Sequence, residues 1–418
     1  MEQLFNGKEI PKHWKIKSMG EVFMIERGGS PRPIEDFITN DDNGINWIKI
    51  GDTKGVVKYI HHTKEKIKPE GAIRSRMVFE DDFLLSNSMS FGKPFIMKTK
   101  GCIHDGWLVI RKNTLIDNNY LYYILSSSLV YQQFTNLAKG STVKNLNIEA
   151  VKQVVIQFPP LAEQLSIVSK IEELLSDLEN GKQQLLTAQQ QLKIYRQSLL
   201  KWAFEGKLTN KNVKDDELPK GWKWVKLIEI TSVLGDGLHG TPNYSEDGDY
   251  YFINGNNLTD GRIEIKENTK RVDFSEYEKY KKPLNESTIF VSINGSIGYT
   301  AFYNNEKVIL GKSACYFNVL KSTDKKYLRY CLLSQRFLNY ANKNATGSTI
   351  KNVGLKTMRD FEIPFPSFSE QQLIVDELES KLTFCDKIEE TISQSLLQAE
   401  SLRQSILKKA FEGKLVNF

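Results

Sequence analysis

Residues 139–168 read KGSTVKNLNIEAVKQVVIQFPPLAEQLSIV, and residues 346–375 read TGSTIKNVGLKTMRDFEIPFPSFSEQQLIV. The two stretches lie 207 residues apart, and the same offset carries RQSLLKWAFEGKL (196–208) onto RQSILKKAFEGKL (403–415). Further out, IPKHWK at 10–15 matches LPKGWK at 218–223, one residue out of step. This self-match decides the architecture before any single motif does: the chain is one half, duplicated. Each half runs in the same order, from a Pro-Lys-x-Trp opening through a stretch of domain size to a Gly-Ser-Thr loop, a Pro-containing strand end and a long helix.

Only the middle stretches diverge strongly. Within them WIKIGDTKG (47–55) still corresponds to YFINGNNLTDG (251–261), and LLSNSMSFG (84–92) to IFVSINGSIG (289–298). Short β-rich runs such as FLLS, CIHDGWLVI, TIFVSI and CYFNVL, punctuated by Gly, Asn and Asp, predict mixed α+β domains with much exposed loop. Short helices are expected near NYLYYILSS (119–127) and KYLRYCLLS (326–334). The expected divisions are a globular domain at 1–160, a helix at 161–205, a second globular domain at 206–365 and a second helix at 366–418.

In the first helical segment Ile171, Leu178, Leu185, Leu192 and Leu199 recur every seven residues, with Leu174, Gly181, Ala188, Tyr195 and Trp202 at the other seam position. Adding 207 to the first series gives Leu378, Cys385, Ile392, Ala399 and Ile406; the second seam (Lys381, Ile388, Ser395, Leu402, Lys409) is half polar. This is a coiled-coil pattern, and it predicts that the helices pack on each other. The alternative is a long helix that buries one face on a globular core. Pro159, Pro160 and Pro366 precede the helices and Gly206 and Gly413 follow them, so both have defined ends. A helix from Leu161 to Phe204 would extend roughly 66 Å at about 1.5 Å per residue, longer than the ~34 Å of one DNA turn.

The 418 residues are 40% hydrophobic and 26% charged, with no apolar run near the length that crosses a bilayer, a soluble composition. The opening MEQLFNGKEIPKHW carries no signal-peptide apolar region, so a cytoplasmic location is expected. The four cysteines (Cys102, Cys315, Cys331, Cys385) never form a Cys-x-x-Cys pair, which argues against a zinc ribbon or a disulfide framework. Net charge is +6, unevenly spread: +5 over 1–160 (22 basic, 17 acidic), −1 over 161–205, +5 over 206–365 (24 basic, 19 acidic) and −3 over 366–418. The positive excess lies in the globular stretches, and the helices suit protein better than phosphate.

Catalytic motifs are missing. No Asn- or Asp-Pro-Pro-Tyr motif with a Gly-rich cofactor loop supports base methylation, and FPPLAEQ reads as a helix entry. Gly311-Lys312-Ser313 resembles the end of a phosphate loop, but Glu306 stands where that motif needs its first Gly. The Glu-x-Lys triplets at 264–266 and in AFEGKL have no Pro-Asp partner upstream. The histidines (His13, His61, His62, His104, His239) form no metal-ligand spacing, so neither a catalytic residue nor a metal site is expected.

The repeat, the GST(V/I)KN loop, the strand end before FPP or FPS, the following Glu163-Gln164 and Glu370-Gln371, and the closing AFEGKL together resemble the specificity subunit of type I restriction-modification systems. ERGGSPRP with GINWIKIGD (26–52) and DGLHGTPNYSEDGDYYFING (236–255) join the resemblance, which spans nearly the whole chain. It implies two target-recognition domains in a tandem repeat, separated by two long antiparallel coiled-coil helices. Each domain would read half of a bipartite double-stranded DNA target in a prokaryotic host, and the helices would set the spacer. Two modification subunits, carrying S-adenosylmethionine and the adenine methylation chemistry, would dock on the helices and flanks, and restriction-translocase subunits would join them. This chain would bind no cofactor.

DNA contacts divide into phosphate positioning and base reading, and Arg, Lys, Asn and Ser on loops serve both. In the first domain the candidates are Arg27, Ser30, Arg32, Lys49, Asp52, Asn87, Ser88, Ser90 and Lys93, beside glycines that let backbone approach DNA. In the second they are His239, Thr241, Asn254, Asn256, Asn257, Ser292, Asn294 and Ser296. Ser141, Thr142 and Lys144 and their repeats Ser348, Thr349 and Lys351 survive the surrounding divergence, which points to phosphate contact or to a hinge both halves need. Two other classes stay open on the residues alone: a coiled-coil adaptor whose domains bind protein, and a self-sufficient DNA-modifying enzyme with unfamiliar motifs.

Overall fold

The computed structural model describes residues 2–5, 8–87, 91–111, 113–138, 145–210, 212–214 and 217–416. The chain is mixed α+β, and its two compact units draw on both repeats: residues 1–185 with 394–418, and residues 186–393. Two 44-residue helices, Leu161–Phe204 and Phe368–Phe411, each contribute one end to either unit.

In the first unit, one five-stranded sheet orders Ile25–Arg27, Trp107–Ile110, Phe83–Ser86, Pro94–Met97 and Tyr59–Ile60. A second orders Ile38–Thr39, Glu65–Ile67, Ile45–Ile48, Gly101–Ile103 and Arg76–Val78. The second unit repeats the plan with fewer strands. Thr231–Asp236, Ala314–Val319, Thr288–Ser292 and Thr300–Phe302 form one sheet; Arg271–Val272, Tyr250–Ile253 and Val308–Leu310 form another. Strands such as Phe83–Ser86 and Thr288–Ser292 are buried at every position, as their unbroken apolar runs require of strands covered on both faces.

The repeated residues hold each unit to the helix that begins and the helix that ends there. Gln164 is fully buried; its Oε1 accepts from Asp117 N at 2.8 Å and its Nε2 donates to Leu115 O and Pro159 O. Gln371 repeats all three bonds, to Asp324 N, Ser322 O and Pro366 O. Gln164 and Gln371 are therefore clamps that pin each long-helix start to the N-cap of a short helix, Asn118–Leu125 in the first unit and Lys325–Leu333 in the second. At the other end, Gly206 (φ +74°) and Gly413 (φ +69°) close the helices in the Schellman arrangement, with Lys207 N donating to Trp202 O and Lys414 N to Lys409 O. A Cβ on Gly206 would come within 2.2 Å of Pro219 Cγ, and one on Gly413 within 2.5 Å of Pro11 Cδ. The AFEGKL end of each repeat is thus seated on the Pro-Lys-x-Trp opening of the other.

Aromatic contacts repeat the same closure. Tyr120 packs edge-on to Phe411 at 5.4 Å and donates to Gln157 O; Tyr327 packs on Phe204 at 5.4 Å and donates to Pro364 O. In the second unit Arg196 of the first helix bridges Asp386 (2.6 Å) and Glu389 (3.1 Å) of the second, while Asn210 Nδ2, past the end of the first, donates to Glu370 near the start of the second. Rising numbers on one helix meet falling numbers on the other, so the pairing is antiparallel.

Leu378, Cys385, Ile392, Ala399 and Ile406 are all buried, as the heptad predicts. The second seam needs correction, because Tyr195 (41% exposed), Trp202 (38%) and Leu402 (52%) face outward. In both helices the seam moves one residue on, to Ala203 and to Ala410, both fully buried. A 3.6-residue helix drifts about 20° per heptad against a 3.5 repeat, and over 44 residues that drift changes which neighbour faces inward. Among the described residues no helix is long and apolar enough to cross a membrane.

Candidate nucleic-acid interface

The loop candidates of the first unit converge on a residue absent from the sequence-based set, Asp105. Arg27 Nε donates to its carbonyl at 3.1 Å and Asn87 Nδ2 to the same oxygen at 2.9 Å, while Ser30 Oγ (3.0 Å) and Arg32 Nη2 (3.4 Å) reach its carboxylate. Lys49 and Asp52 adjoin through the neighbouring histidine: Ile50 N donates to His104 Nε2 at 3.0 Å. Lys49 Nζ pairs with Glu65, and the Asp52 carboxylate accepts from Lys49 N and Lys64 N, which closes the short helical turn Ile50–Thr53.

The second unit builds the same corner from different side chains. Gly29 N donates to Ile103 O in the first unit and Leu238 N to Leu310 O in the second; His104 N reaches Ile48 O as Gly311 N reaches Ile253 O. Gly28 and Gly237 leave no room for a Cβ, which would lie 2.1 Å from His104 O and 2.2 Å from Leu310 O. Lys49 N bonds the Asp52 side chain as Asn254 N bonds the Asn257 side chain. Strand register sets Arg27 opposite Leu108 and Asp236 opposite Cys315, the same place in each sheet. Ser30 thus corresponds to His239, Arg32 to Thr241, and the turn His104-Asp105-Gly106 to Gly311-Lys312-Ser313. The resemblance of that second turn to a phosphate loop is explained otherwise: Ser313 Oγ accepts from Gly255 N and donates to Asn254 Oδ1.

A second pair of loops is equally matched. Gly92 N donates to Ser86 O and Lys93 N to Ser86 Oγ; Gly298 N donates to Ser292 O and Tyr299 N to Ser292 Oγ. Leu146 N reaches Asn87 O as Val353 N reaches Ile293 O, and in the second unit the end of the Gly-Ser-Thr loop lies beside this turn. In the second unit Gly295 N donates to Lys351 O, Lys351 Nζ to Asn342 Oδ1, and Ser348 and Thr349 stand exposed. Ser88, Ser90, Ser141, Thr142 and Lys144 lie outside the described residues.

Like Asp52, three buried candidates serve the loops themselves. Asn87 (1% exposed), Asn257 (5%) and Ser292 (0%) are buried with their polar atoms bonded to backbone, so they shape the turns and do not point outward. Arg32, Lys93, His239, Thr241, Asn256 and Ser296 are exposed, with His239 Nε2 at 2.6 Å from Asp236 Oδ2. Asn254 and Asn294 are half-buried, the latter bridged to Asn352.

A groove in the first unit is lined by Thr53, Lys54, Ser86, Lys93, Tyr122 and Arg403, with no Asp or Glu among its described residues. Arg403 repeats Arg196, yet only Arg196 is bridged across the helices. The residues of the first helix corresponding to its partners are Glu179 and Lys182, which pair with each other at 3.2 Å and leave Arg403 to the groove.

Burial holds the His104 imidazole below its ordinary 6.5, against Asp105 and Asp52, which pull it up, and with Lys49, which pushes it down. The unfolded chain therefore takes up a proton near 6.5 that the folded corner refuses. Stability from this residue is complete above 6.5 and is lost as pH falls through it toward the folded value. The melting temperature of the first unit is expected to fall between pH 7 and about 5.5 more steeply than in His104→Gln, the other histidines being common to both. Parallel slopes in the two proteins would refute the assignment.

The profile described as the type I restriction modification DNA specificity domain matches residues 11–188 and again 219–398. The EcoBI specificity subunit of Escherichia coli is 25% identical over 99% of this chain and 89% of its own length. The EcoKI specificity subunit of Escherichia coli K12 is 27% identical over 73% of this chain and 68% of its own. Among solved structures, the HsdS subunit of Thermoanaerobacter tengcongensis superposes with a TM-score of 0.63 at 19% identity, covering 98% of this chain and 99% of that one. A chain from a study of complex assembly and conformational transition in the type I R-M system reaches 0.70 at 20% identity, over 97% and 99%. Both share the fold described above.

Proposed function

The chain belongs to the type I restriction-modification DNA specificity family, and from that premise we propose that it reads a bipartite target in double-stranded DNA, one half-site with each globular domain (1–160 and 206–365). Its relatives are specificity subunits of restriction enzymes, so its part in the reaction is recognition and not catalysis. The observation that carries the bipartite reading is the pair of corners: one backbone frame built twice, with different side chains at each exposed position. A duplicated frame with unlike contents suits two half-sites of unlike sequence.

Arg27, Ser30, Arg32 and Lys49 in the first domain, and His239, Thr241, Asn254, Asn256, Asn294 and Ser296 in the second, are the side chains placed to meet base edges or sugars. Lys54, Lys93 and Arg403 in the first unit, and Ser348, Thr349 and Lys351 in the second, take backbone phosphates, whose capture fixes register without reading sequence. The antiparallel helices set the spacer between half-sites. Two modification subunits dock on the helices and their flanks and bring S-adenosylmethionine; restriction-translocase subunits complete the endonuclease in the prokaryotic cytoplasm.

The test is the methylome of a methylation-free host expressing this chain with its neighbouring modification subunit, against the same host lacking this chain. A bipartite methylated motif that appears only with this chain is expected. A folded complex that leaves no motif would overturn the reading in favour of a protein-binding adaptor.

A further inference from the structure

Two positions of the matched corners exchange charge between the units. Arg27 stands where the second unit has Asp236, and Asp105 where it has Lys312, as the strand registers and turn hydrogen bonds establish. The first corner is thus a carboxylate held by the Arg32 guanidinium and the Ser30 hydroxyl, with Arg27 on the main-chain carbonyl of the same residue and the Asp105 side chain about half exposed (45%). The second has an exposed ammonium, Lys312, and an aspartate, Asp236, already engaged by His239. Among the described residues Lys312 has no carboxylate within ion-pair distance.

A carboxylate only accepts hydrogen bonds, and among base edges it matches the amino groups of cytosine and adenine; an ammonium only donates, and matches the O6 and N7 of guanine. We propose that Asp105 and Lys312 are specificity-determining residues of the two domains, Asp105 selecting an amino-bearing base in one half-site and Lys312 a guanine in the other. The inference rests on the bipartite reading above and adds the residues and the sense of the selection. It also explains why the turn is built on glycine at 28 and 237: only a bare backbone lets the strand end pack against the turn and hold its middle residue forward.

The competing explanation is structural, since a charge exchanged on both sides of a contact can be a strut that has merely been reversed. The double variant Arg27→Asp with Asp105→Lys, which gives the first corner the charges of the second, separates the two. A strut would tolerate the reversal and leave the methylated motif unchanged. A reader changes the motif at one position of one half-site, toward guanine, and leaves the other half-site alone. Lys312→Asp, read in the same methylome assay, is expected to alter the opposite half-site and only that one.

Asp105→Asn keeps the shape of the corner and covers the case in which the reversed pair fails to fold. It is expected to relax selectivity at the same position by about 5-fold to 150-fold, the discrimination of one good base contact. Unchanged selectivity in Asp105→Asn and Lys312→Asp complexes that still methylate would overturn the proposal. Failure of the unmodified chain to direct any bipartite motif would instead overturn the proposed function on which it rests.

Discussion

Replacing Phe411 by Ala is expected to destabilise the first unit by about 3–5 kcal/mol, the cost of emptying a buried aromatic site, although the residue lies near the end of the sequence. Terminal residues usually tolerate substitution because little is packed on them. Here Phe411 is buried, stacks edge-on to Tyr120 and accepts a hydrogen bond from Gln157, 254 residues earlier in the chain. Ala410 and Leu407 are fully buried in the same core. The local signature is loss of hydrogen-exchange protection in Phe83–Ser86 and Asn118–Leu125, with Thr288–Ser292 of the second unit unchanged. Phe204→Ala should give the mirror result. A loss below about 1 kcal/mol, the range of a surface change, would mean that the helix end does not complete the first core.

The duplicated plan was legible in the sequence because its carriers are local and repeated: helix-start prolines, C-terminal glycines, the Glu-Gln pair and the heptad of Leu378, Cys385, Ile392, Ala399 and Ile406. What each carrier does was less legible. Nothing in AFEGKL says that it seats on the opening of the other repeat, since that is settled by Gly413 against Pro11 across 402 residues of chain. The outward turn of Tyr195 and Trp202 comes from the accumulated drift of a real helix against an ideal heptad, which residue types alone conceal.

At the candidate interface, Arg27, Ser30 and Arg32 of the Gly-rich loop do come together in space. Their common partner, Asp105, sits in a two-strand turn with no motif around it, and Lys312 was visible only as part of a false phosphate loop. Asn87, Asn257 and Ser292 have the residue types of DNA contacts, but burial assigns their polar atoms to the turns. Arg196 and Arg403 share one motif and differ in role because Asp386 and Glu389 bridge Arg196, while their repeat counterparts Glu179 and Lys182 pair with each other. Such differences depend on the partner element and not on the motif.

Inserting four residues into each long helix, after Leu185 and after Ser393, is expected to lengthen the spacer of the methylated motif by about two base pairs while both half-sites stay as they were. Four residues add about 6 Å of rise, close to two steps of ~3.4 Å. They also turn the helix by about 40° beyond a full turn, in the same sense as the roughly 70° that two base pairs add at 10–10.5 per turn. Seven residues would keep the apolar seam in better register but add about 10.5 Å with almost no net rotation. Three further base pairs rotate the half-site by about 100°, so that insertion should methylate poorly. Both cuts fall at the boundary between the compact units, away from the clamps at Gln164 and Gln371 and from the seated ends at Gly206 and Gly413, so each core keeps its own contacts. A four-residue variant that methylates the original spacing would show that the helices do not set it, whereas a longer spacer with unchanged half-sites would separate ruler from reader within one chain.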